Sequence, residues 1–401
     1  MTTDHKTTDQ QAFSGSEWLR YTRHIQLPHI GAQGQRALKQ SHVVVIGCGG
    51  LGSPVLLYLA AAGIGHITLV DGDLVDLTNL QRQILFGVDD IAQPKATAAK
   101  QRLNQLNPEI TLDAINEPLS LNNAEALIAP TDLVLDCTDN FATRYLINDV
   151  CAALNKPWVF ASIHQFSGQC ALFTPGDDHA CFRCLFPEMP TGVADCNTAG
   201  VLGVLPGMLG MFQANEAIKF LTGLPTPLNN TLLLVEAIDL TFRQIQLTQS
   251  SDCVCCAQQL SPQQLSNDYQ TGCDITDSAI TSDTASNSST HSTNPSKEIS
   301  VTEFEAAIKQ SEQSSSKENA IIILDVRTEA EREAFHLGGH HLPLAELADR
   351  IHEVNYAAQV ICYCQSGARS LQAAQWLSEQ GINSHSLKGG IAAALKQQQQ
   401  Q

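Results

Sequence analysis

The segment VVVIGCGGLGSPVLLYLAAAGIGHITLVDGD, residues 43–73, restricts the fold of this chain more than any other stretch. An apolar run ends in Gly47, Gly49 and Gly52 at G-x-G-x-x-G spacing, a small-residue stretch of helical length follows, and a second apolar run ends at Asp71. Glycines so placed let the backbone approach a phosphate and present N–H groups at a helix start, where the dipole also favours an anion. An acid at this distance beyond the loop is placed to hold a ribose hydroxyl. The pattern predicts a strand–helix–strand nucleotide unit. Alone it leaves the nucleotide open, and an NAD-dependent oxidoreductase would satisfy it.

The alternation continues. HVVVIG, HITLVD and DLVLDC are separated by segments of helical spacing such as IAQPKATAAKQRLNQL, which predicts an α/β fold with a doubly wound sheet. PWVFASI, GQCALFT, TLLLVEAIDL and FRQIQLT lie close enough in sequence to extend it as antiparallel strands, and GVLGVLPGMLGMFQANEAIKFLTG reads as a buried helix. No lysine or arginine lies between Arg243 and Lys297, and DITDSAITSDTASNSSTHSTNPS is too polar to form a core. The expected organisation is a first domain over 1–256, a flexible polar linker over 257–297, a second, smaller α/β domain over 298–396 and a disordered tail over 397–401.

The 401 residues carry a formal charge of −18, which repels nucleic acid and anionic membrane, so neither is expected as a partner. The N-terminal MTTDHKTTDQQAFSGSEW lacks the pattern of a secretory signal, and no run approaches the ~18 apolar residues of a membrane span. A cytoplasmic location is expected. Thirteen cysteines in such a chain point to metal ligands or reactive thiols rather than disulfides.

Downstream of Asp71, DGDLVDLTNLQRQILFGVDDIAQPKATAAK places Asn79, Arg82, Gln83 and Lys95 in one short stretch. A triphosphate needs this many polar and cationic groups, whereas a nicotinamide dinucleotide has little use for them. Taken with GCGGLGS, QPKA and LDCTDNFATRYLIN, the region from about residue 16 to 256 resembles the adenylating enzymes MoeB and ThiF, bacterial members of the ubiquitin-activating superfamily. The resemblance implies ATP-dependent adenylation of the C-terminal Gly-Gly carboxylate of a small ubiquitin-like sulfur-carrier protein, MoaD-like or ThiS-like, with release of pyrophosphate. It implies that Gly47, Gly49, Gly50 and Gly52 form the phosphate loop and that Asp71 holds the ribose. Asn79, Arg82 and Lys95 meet the triphosphate, with Gln83 beside them, and Asp139 coordinates Mg2+. Arg23, in RYTRHIQL, matches an arginine that the family supplies from the neighbouring subunit, which implies a homodimer.

CFRC at 181–184 and CVCC at 253–256 give two C-x-x-C pairs, the spacing of a tetrahedral four-cysteine site. Cys181, Cys184, Cys253 and Cys256 are the expected ligands. A register using Cys255 and a pair of redox-active dithiols are the alternatives, and the resemblance implies a structural Zn2+. Cys196, in EMPTGVADCNTAGVLG, matches a position where related enzymes carry a reactive cysteine. Cys48, Cys137, Cys151 and Cys170 read as small core residues.

Near the C-terminus, VICYCQSGARSLQAA sets Cys364 between a buried strand and a helix, with Gly367 and Arg369 close behind. Such a loop surrounds sulfur with backbone N–H groups and stabilises an anionic persulfide. With ILDVR at 323–327 and LKGGI at 387–391, residues 298–395 resemble a rhodanese domain. HLGGHHLPLAEL replaces the usual G-H-I-P-G-A stretch and the closing glycine pair lacks its tryptophan, so an inactive, structural module is the alternative.

The two resemblances together imply adenylation followed by sulfur transfer from a Cys364 persulfide, charged by an upstream persulfide donor, to give a thiocarboxylate in molybdopterin biosynthesis. Alternatives are a ThiS-type carrier in thiamin biosynthesis, adenylation without the relay, and a non-catalytic scaffold that binds a ubiquitin-like tail.

Overall fold

A computed structural model describes residues 13–176, 178–189, 200–258, 265, 269, 297–313 and 321–399. The chain divides into two compact units, 1–278 and 279–401.

The first unit is built on an eight-stranded sheet of order β3-β2-β1-β4-β5-β6-β7-β8. Strands β1 (His42–Ile46), β2 (His66–Val70), β3 (Thr111–Ile115), β4 (Leu133–Asp136) and β5 (Trp158–His164) pair in parallel. β6 (Ser167–Phe173), β7 (Thr231–Glu236) and β8 (Thr241–Gln246) extend the sheet antiparallel, as their closeness in sequence predicts. Both faces of β1 are buried: Val43 and Val45 enter one core, Val44 and Ile46 the other. That is why the run is apolar throughout instead of alternating.

Helices α1 (Gly15–Ile25) and α2 (Gly31–Gln40) precede β1. A capping box starts α1, with the Ser14 hydroxyl accepting from the Glu17 N–H and the Glu17 carboxylate from the Ser14 N–H. Helix α3 (Gly52–Ala62) follows the glycine loop and ends at left-handed Gly63. Helices α4 (Lys95–Leu106), α5 (Leu121–Ile128), α6 (Phe141–Ala153) and the short α7 (Phe182–Leu185) come next. Helix α8 (Val204–Thr222) is the predicted buried helix and lies against α3, β5 and β6. Strand order reverses between β1 and β4, so a crevice opens at the carboxyl ends of these neighbours, where open α/β sheets bind ligands.

The second unit carries a five-stranded parallel sheet of order β11-β10-β12-β13-β9. Its strands are β9 (Lys297–Ile299), β10 (Ile321–Asp325), β11 (His340–His341), β12 (Gln359–Tyr363) and β13 (Ser384–Leu387). Helices α9 (Val301–Gln313), α10 (Glu329–Ala334), α11 (Ala368–Glu379) and α12 (Gly390–Gln399) complete it.

Two boundaries differ from expectation. The last helix continues through Gln399, past the expected start of the tail at 397, because glutamine is a good helix former and extends the alanine-rich turns before it. Within the expected linker, Leu265 and Tyr269 pack against the core of the first unit, and the Tyr269 hydroxyl donates to Asp149 at 2.6 Å. Among the described residues no helix is long and apolar enough to cross a membrane.

Candidate active sites and metal centre

The glycine loop lies at the carboxyl end of β1. Gly47 has φ +95°, and a Cβ there would stand 2.5 Å from the Cys137 carbonyl oxygen at the end of β4. A Cβ on Gly52 would stand 2.0 Å from the Gly47 carbonyl oxygen. Glycine is therefore required at the first position for conformation and at the last for close helix–loop packing. Gly49 lies against the Gln83 amide, and Gly50 against Pro206 and Arg82.

Asp71 follows β2 directly and accepts the Cys48 N–H at 2.7 Å and the Asp73 N–H at 2.8 Å. Burial pushes its carboxyl above the ordinary carboxylate range, against the opposing pull of Lys95 and the two N–H groups. Asn79 ends a 3-10 turn, Leu77–Asn79, whose carbonyl accepts the Arg82 and Gln83 N–H groups. Arg82 donates to the Thr78 carbonyl at 3.2 Å. Gln83 is buried, and its Oε1 has no hydrogen-bond partner among the described residues. Lys95 heads α4 with its side chain 7% exposed, and its Nζ lies 2.7 Å from Asp73, which is 74% exposed. Four of the predicted groups, Asp71, Gln83, Lys95 and the glycine loop, thus cluster at the crevice. An interior lysine whose acidic partner is solvent-exposed suits an incoming anion.

Asp139 is exposed just beyond β4. Residues that sequence reading missed place it. Asp136, fully buried at the end of β4, accepts the Arg144 Nε at 3.0 Å and the Thr138 N–H and hydroxyl at 3.0 and 2.6 Å. Arg144 also donates to the Thr138 and Ala161 carbonyls, and Asn140 caps α6 by accepting the Thr143 N–H at 2.8 Å. Both lie within the LDCTDNFATRYLIN segment, but their spacing of eight residues across a strand–helix turn does not mark them as a pair. Arg23 is exposed on α1, away from any ion pair among the described residues. Cys196 lies outside the described residues. Cys48, Cys137, Cys151 and Cys170 are buried, and burial raises all four thiols.

The sulfurs of Cys181, Cys184, Cys253 and Cys256 all lie within 4.8 Å of one another. The separations 181–253, 184–256 and 181–184 are 3.5, 3.4 and 4.0 Å. A tetrahedral zinc with ~2.3 Å bonds requires about 3.8 Å between sulfurs, so the four fit that ion. Cys255 packs beside Cys181 and Cys253, but its sulfur is not one of the four and accepts from Asn148 Nδ2 at 3.4 Å. Between the first two cysteines, Arg183 forms a bidentate pair with Asp149 at 2.7 and 2.7 Å, and this same Asp149 accepts the Tyr269 hydroxyl.

In the second unit Cys364 follows β12 and is 1% exposed. Its sulfur accepts the Gly367 N–H at 3.2 Å, the Ser370 N–H at 3.4 Å and the Ser370 hydroxyl at 3.5 Å. Gly367, at φ +99°, turns the chain into α11. A Cβ on Gly390 would stand 2.3 Å from the Cys364 carbonyl oxygen, so the closing glycine pair seals the loop from behind. Arg369 forms a bidentate pair with Glu331, at 2.8 and 2.6 Å. Cys362 is fully buried. In the ILDVR motif, Asp325 and Arg327 form a buried pair at 2.7 Å, and Arg327 also donates to the Phe335 carbonyl.

A Rossmann-like unit with its loop, acid and buried lysine at the switch point, joined to a parallel-sheet unit that cradles a cysteine sulfur in N–H groups, defines a nucleotide-using α/β enzyme fused to a sulfurtransferase-type domain. The ThiF family model matches residues 21–256 and the rhodanese-like domain model residues 302–397. The chain belongs to the ThiF family and carries a C-terminal rhodanese-like domain.

It is 34% identical over 397 residues to MoeZ of Mycobacterium tuberculosis, named as a probable adenylyltransferase/sulfurtransferase, covering 97% of this chain and 95% of that one. To the adenylyltransferase and sulfurtransferase MOCS3 of Mus musculus it is 37% identical over 343 residues, 84% of this chain and 71% of that one. To the sulfur carrier protein ThiS adenylyltransferase of Escherichia coli K12 it is 45% identical over 240 residues, 60% of this chain and 95% of that one. The crystal structure of E. coli MccB with ATP matches with a TM-score of 0.53 at 25% identity, over 59% of this chain and 74% of that one.

Proposed function

We propose that this protein adenylates the C-terminal Gly-Gly carboxylate of a small ubiquitin-like sulfur carrier of the MoaD type and then delivers sulfur to it from Cys364, in molybdenum cofactor biosynthesis. The observation that carries this reading is the likeness, along nearly the whole of both chains, to a relative named for both activities.

In the first step ATP occupies the β1/β4 crevice, as the MccB likeness supports. Asp71 accepts from a ribose hydroxyl, the Gly49 and Gly50 backbone and the loop closed by Gly47 and Gly52 face the phosphates, and Gln83 takes a ligand donor on its open oxygen. Asn79, Arg82 and Lys95 meet the triphosphate, Lys95 exchanging Asp73 for a phosphate oxygen. A carboxylate oxygen of the carrier's last glycine attacks the α-phosphorus, and pyrophosphate leaves with the bond pair. Asp139 would hold Mg2+, which takes one or two carboxylates beside substrate phosphates and screens their charge. Arg23 of a second copy completes the site in a homodimer. Cys181, Cys184, Cys253 and Cys256 would hold Zn2+, whose closed four-thiolate shell gives it a structural role.

In the second step an upstream persulfide donor charges Cys364. The terminal sulfur of that persulfide attacks the acyl-adenylate carbonyl and AMP leaves, giving an acyl disulfide. The Cys196 thiolate then attacks the Cys364 sulfur and expels the carrier thiocarboxylate, leaving a Cys196–Cys364 disulfide for a cellular dithiol to reduce. The test is the carrier's mass after incubation with ATP and a persulfide donor. Wild type yields thiocarboxylate and Cys364→Ala stops at the adenylate. Full-rate thiocarboxylate from Cys364→Ala overturns the relay.

A second reading, a ThiS-type carrier, is favoured by the 45% identity of the adenylation unit to the E. coli ThiS adenylyltransferase. Running both carriers side by side separates the two.

A further inference from the structure

The N–H groups that turn toward the Cys364 sulfur are electrically neutral, and the cation of that loop, Arg369, is already engaged. Arg369 lies between Gly367 and Ser370, whose N–H groups meet the Cys364 sulfur, yet its Nη1 and Nη2 both donate to Glu331, at 2.8 and 2.6 Å. Both side chains are part-exposed, at 26% and 33%, whereas the Cys364 residue is 1% exposed. Glu331 is itself fixed. It closes the capping box of α10, accepting the Thr328 N–H at 3.1 Å and its hydroxyl at 3.0 Å, while Thr328 accepts the Glu331 N–H. A planar guanidinium in a two-bond fork with a carboxylate is matched in geometry and charge, and a competing oxyanion must break both bonds.

We propose that Glu331, by holding Arg369 in this bidentate pair at the mouth of the Cys364 loop, sets the donor specificity of that thiol. It acts against small dianionic sulfane-sulfur donors of the thiosulfate type and in favour of persulfides with an uncharged carbon chain behind the transferred sulfur. The inference rests on the proposed role of Cys364 as the sulfur-accepting thiol. Loading is the same reaction with either donor: the Cys364 thiolate attacks the outer sulfur, a new S–S bond forms, and the old one breaks with its electron pair on the leaving group. That group is sulfite from thiosulfate and a thiolate from an alkyl persulfide. Only the first places a sulfonate where a free guanidinium is needed. In this loop it meets a neutralised arginine and an adjacent carboxylate. Glu331 is a positioning residue, since it touches Arg369 and not the sulfur.

The test uses the full-length protein with thiosulfate and with the persulfide of 2-mercaptoethanol, reading persulfide on Cys364 by mass. Wild type is expected to load from the alkyl persulfide and poorly from thiosulfate. Glu331→Gln keeps the helix cap but releases the arginine, and the thiosulfate-to-alkyl-persulfide rate ratio should rise by about tenfold or more, the scale of one charge-assisted bidentate contact. In the double variant Glu331→Gln/Arg369→Ala the gain should vanish, which a merely destabilised loop would not produce. Efficient thiosulfate loading by wild type, or a ratio unmoved by Glu331→Gln, overturns the inference. Absence of loading from either donor in all three proteins overturns instead the sulfur-transfer role of Cys364 on which it rests.

Discussion

The Cys48 backbone N–H donates to the Asp71 carboxylate at 2.7 Å, so the glycine loop after β1 and the acid after β2 form one bonded unit. Removing that carboxylate therefore loosens the phosphate loop as well as the ribose contact. Asp71→Ala should weaken ATP binding by at least about tenfold, given ~1.5–3 kcal/mol for a hydrogen bond to a charged group, as titration calorimetry would show. Because burial raises the Asp71 carboxyl, ATP affinity should decline as pH falls from above the ordinary carboxylate range. An Asp71→Ala variant with unchanged affinity would remove the acid from the site.

The buried pair of Asp136 and Arg144 fixes the loop that carries Asp139. Arg144→Leu leaves a fully buried carboxylate without its partner and should cost about 3–5 kcal/mol in urea unfolding of the full chain. Adenylation should fall with it, since Thr138 and the start of α6 lose their anchor.

The four clustered cysteines predict about one zinc per chain by elemental analysis. Chelation, or Cys253→Ser, should lower the thermal midpoint by at least about 5 °C, the effect of roughly 2 kcal/mol in a unit of this size. Tyr269 should become more exposed to modification as well, because its partner Asp149 is positioned by Arg183 from within the first cysteine pair. Cys255→Ser should leave the zinc content unchanged.

Arg369 pulls the Glu331 carboxyl down to about 2 from an ordinary 4.5. A depressed carboxyl contributes stability that is complete above its unfolded value and is lost as pH falls through its folded one. The stability difference between wild type and Glu331→Gln should therefore hold above about pH 4.5 and disappear toward pH 2. Calorimetry across that window would check it, and a difference independent of pH would contradict the pair.

The parallel strands were legible because both faces of the sheet are covered, leaving runs such as VVVI with no polar interruption. The glycine loop, the two C-x-x-C pairs and the Cys364 loop were legible because their chemistry is local in sequence. The groups that hold those loops in place were not. Asp136 with Arg144, and Glu331 with Arg369, meet only after strand and helix have folded, and the second pair spans 38 residues. The packing of Tyr269 escaped for the same reason, since one aromatic residue in a polar stretch gives no pattern.

The most direct test of the central claim is ATP–pyrophosphate exchange by the full-length protein, with a purified MoaD-type carrier and with the same carrier lacking its terminal Gly-Gly. Exchange that requires the intact tail is the predicted result and identifies carboxylate adenylation. Absence of exchange with any such carrier, with ATP bound, would contradict it.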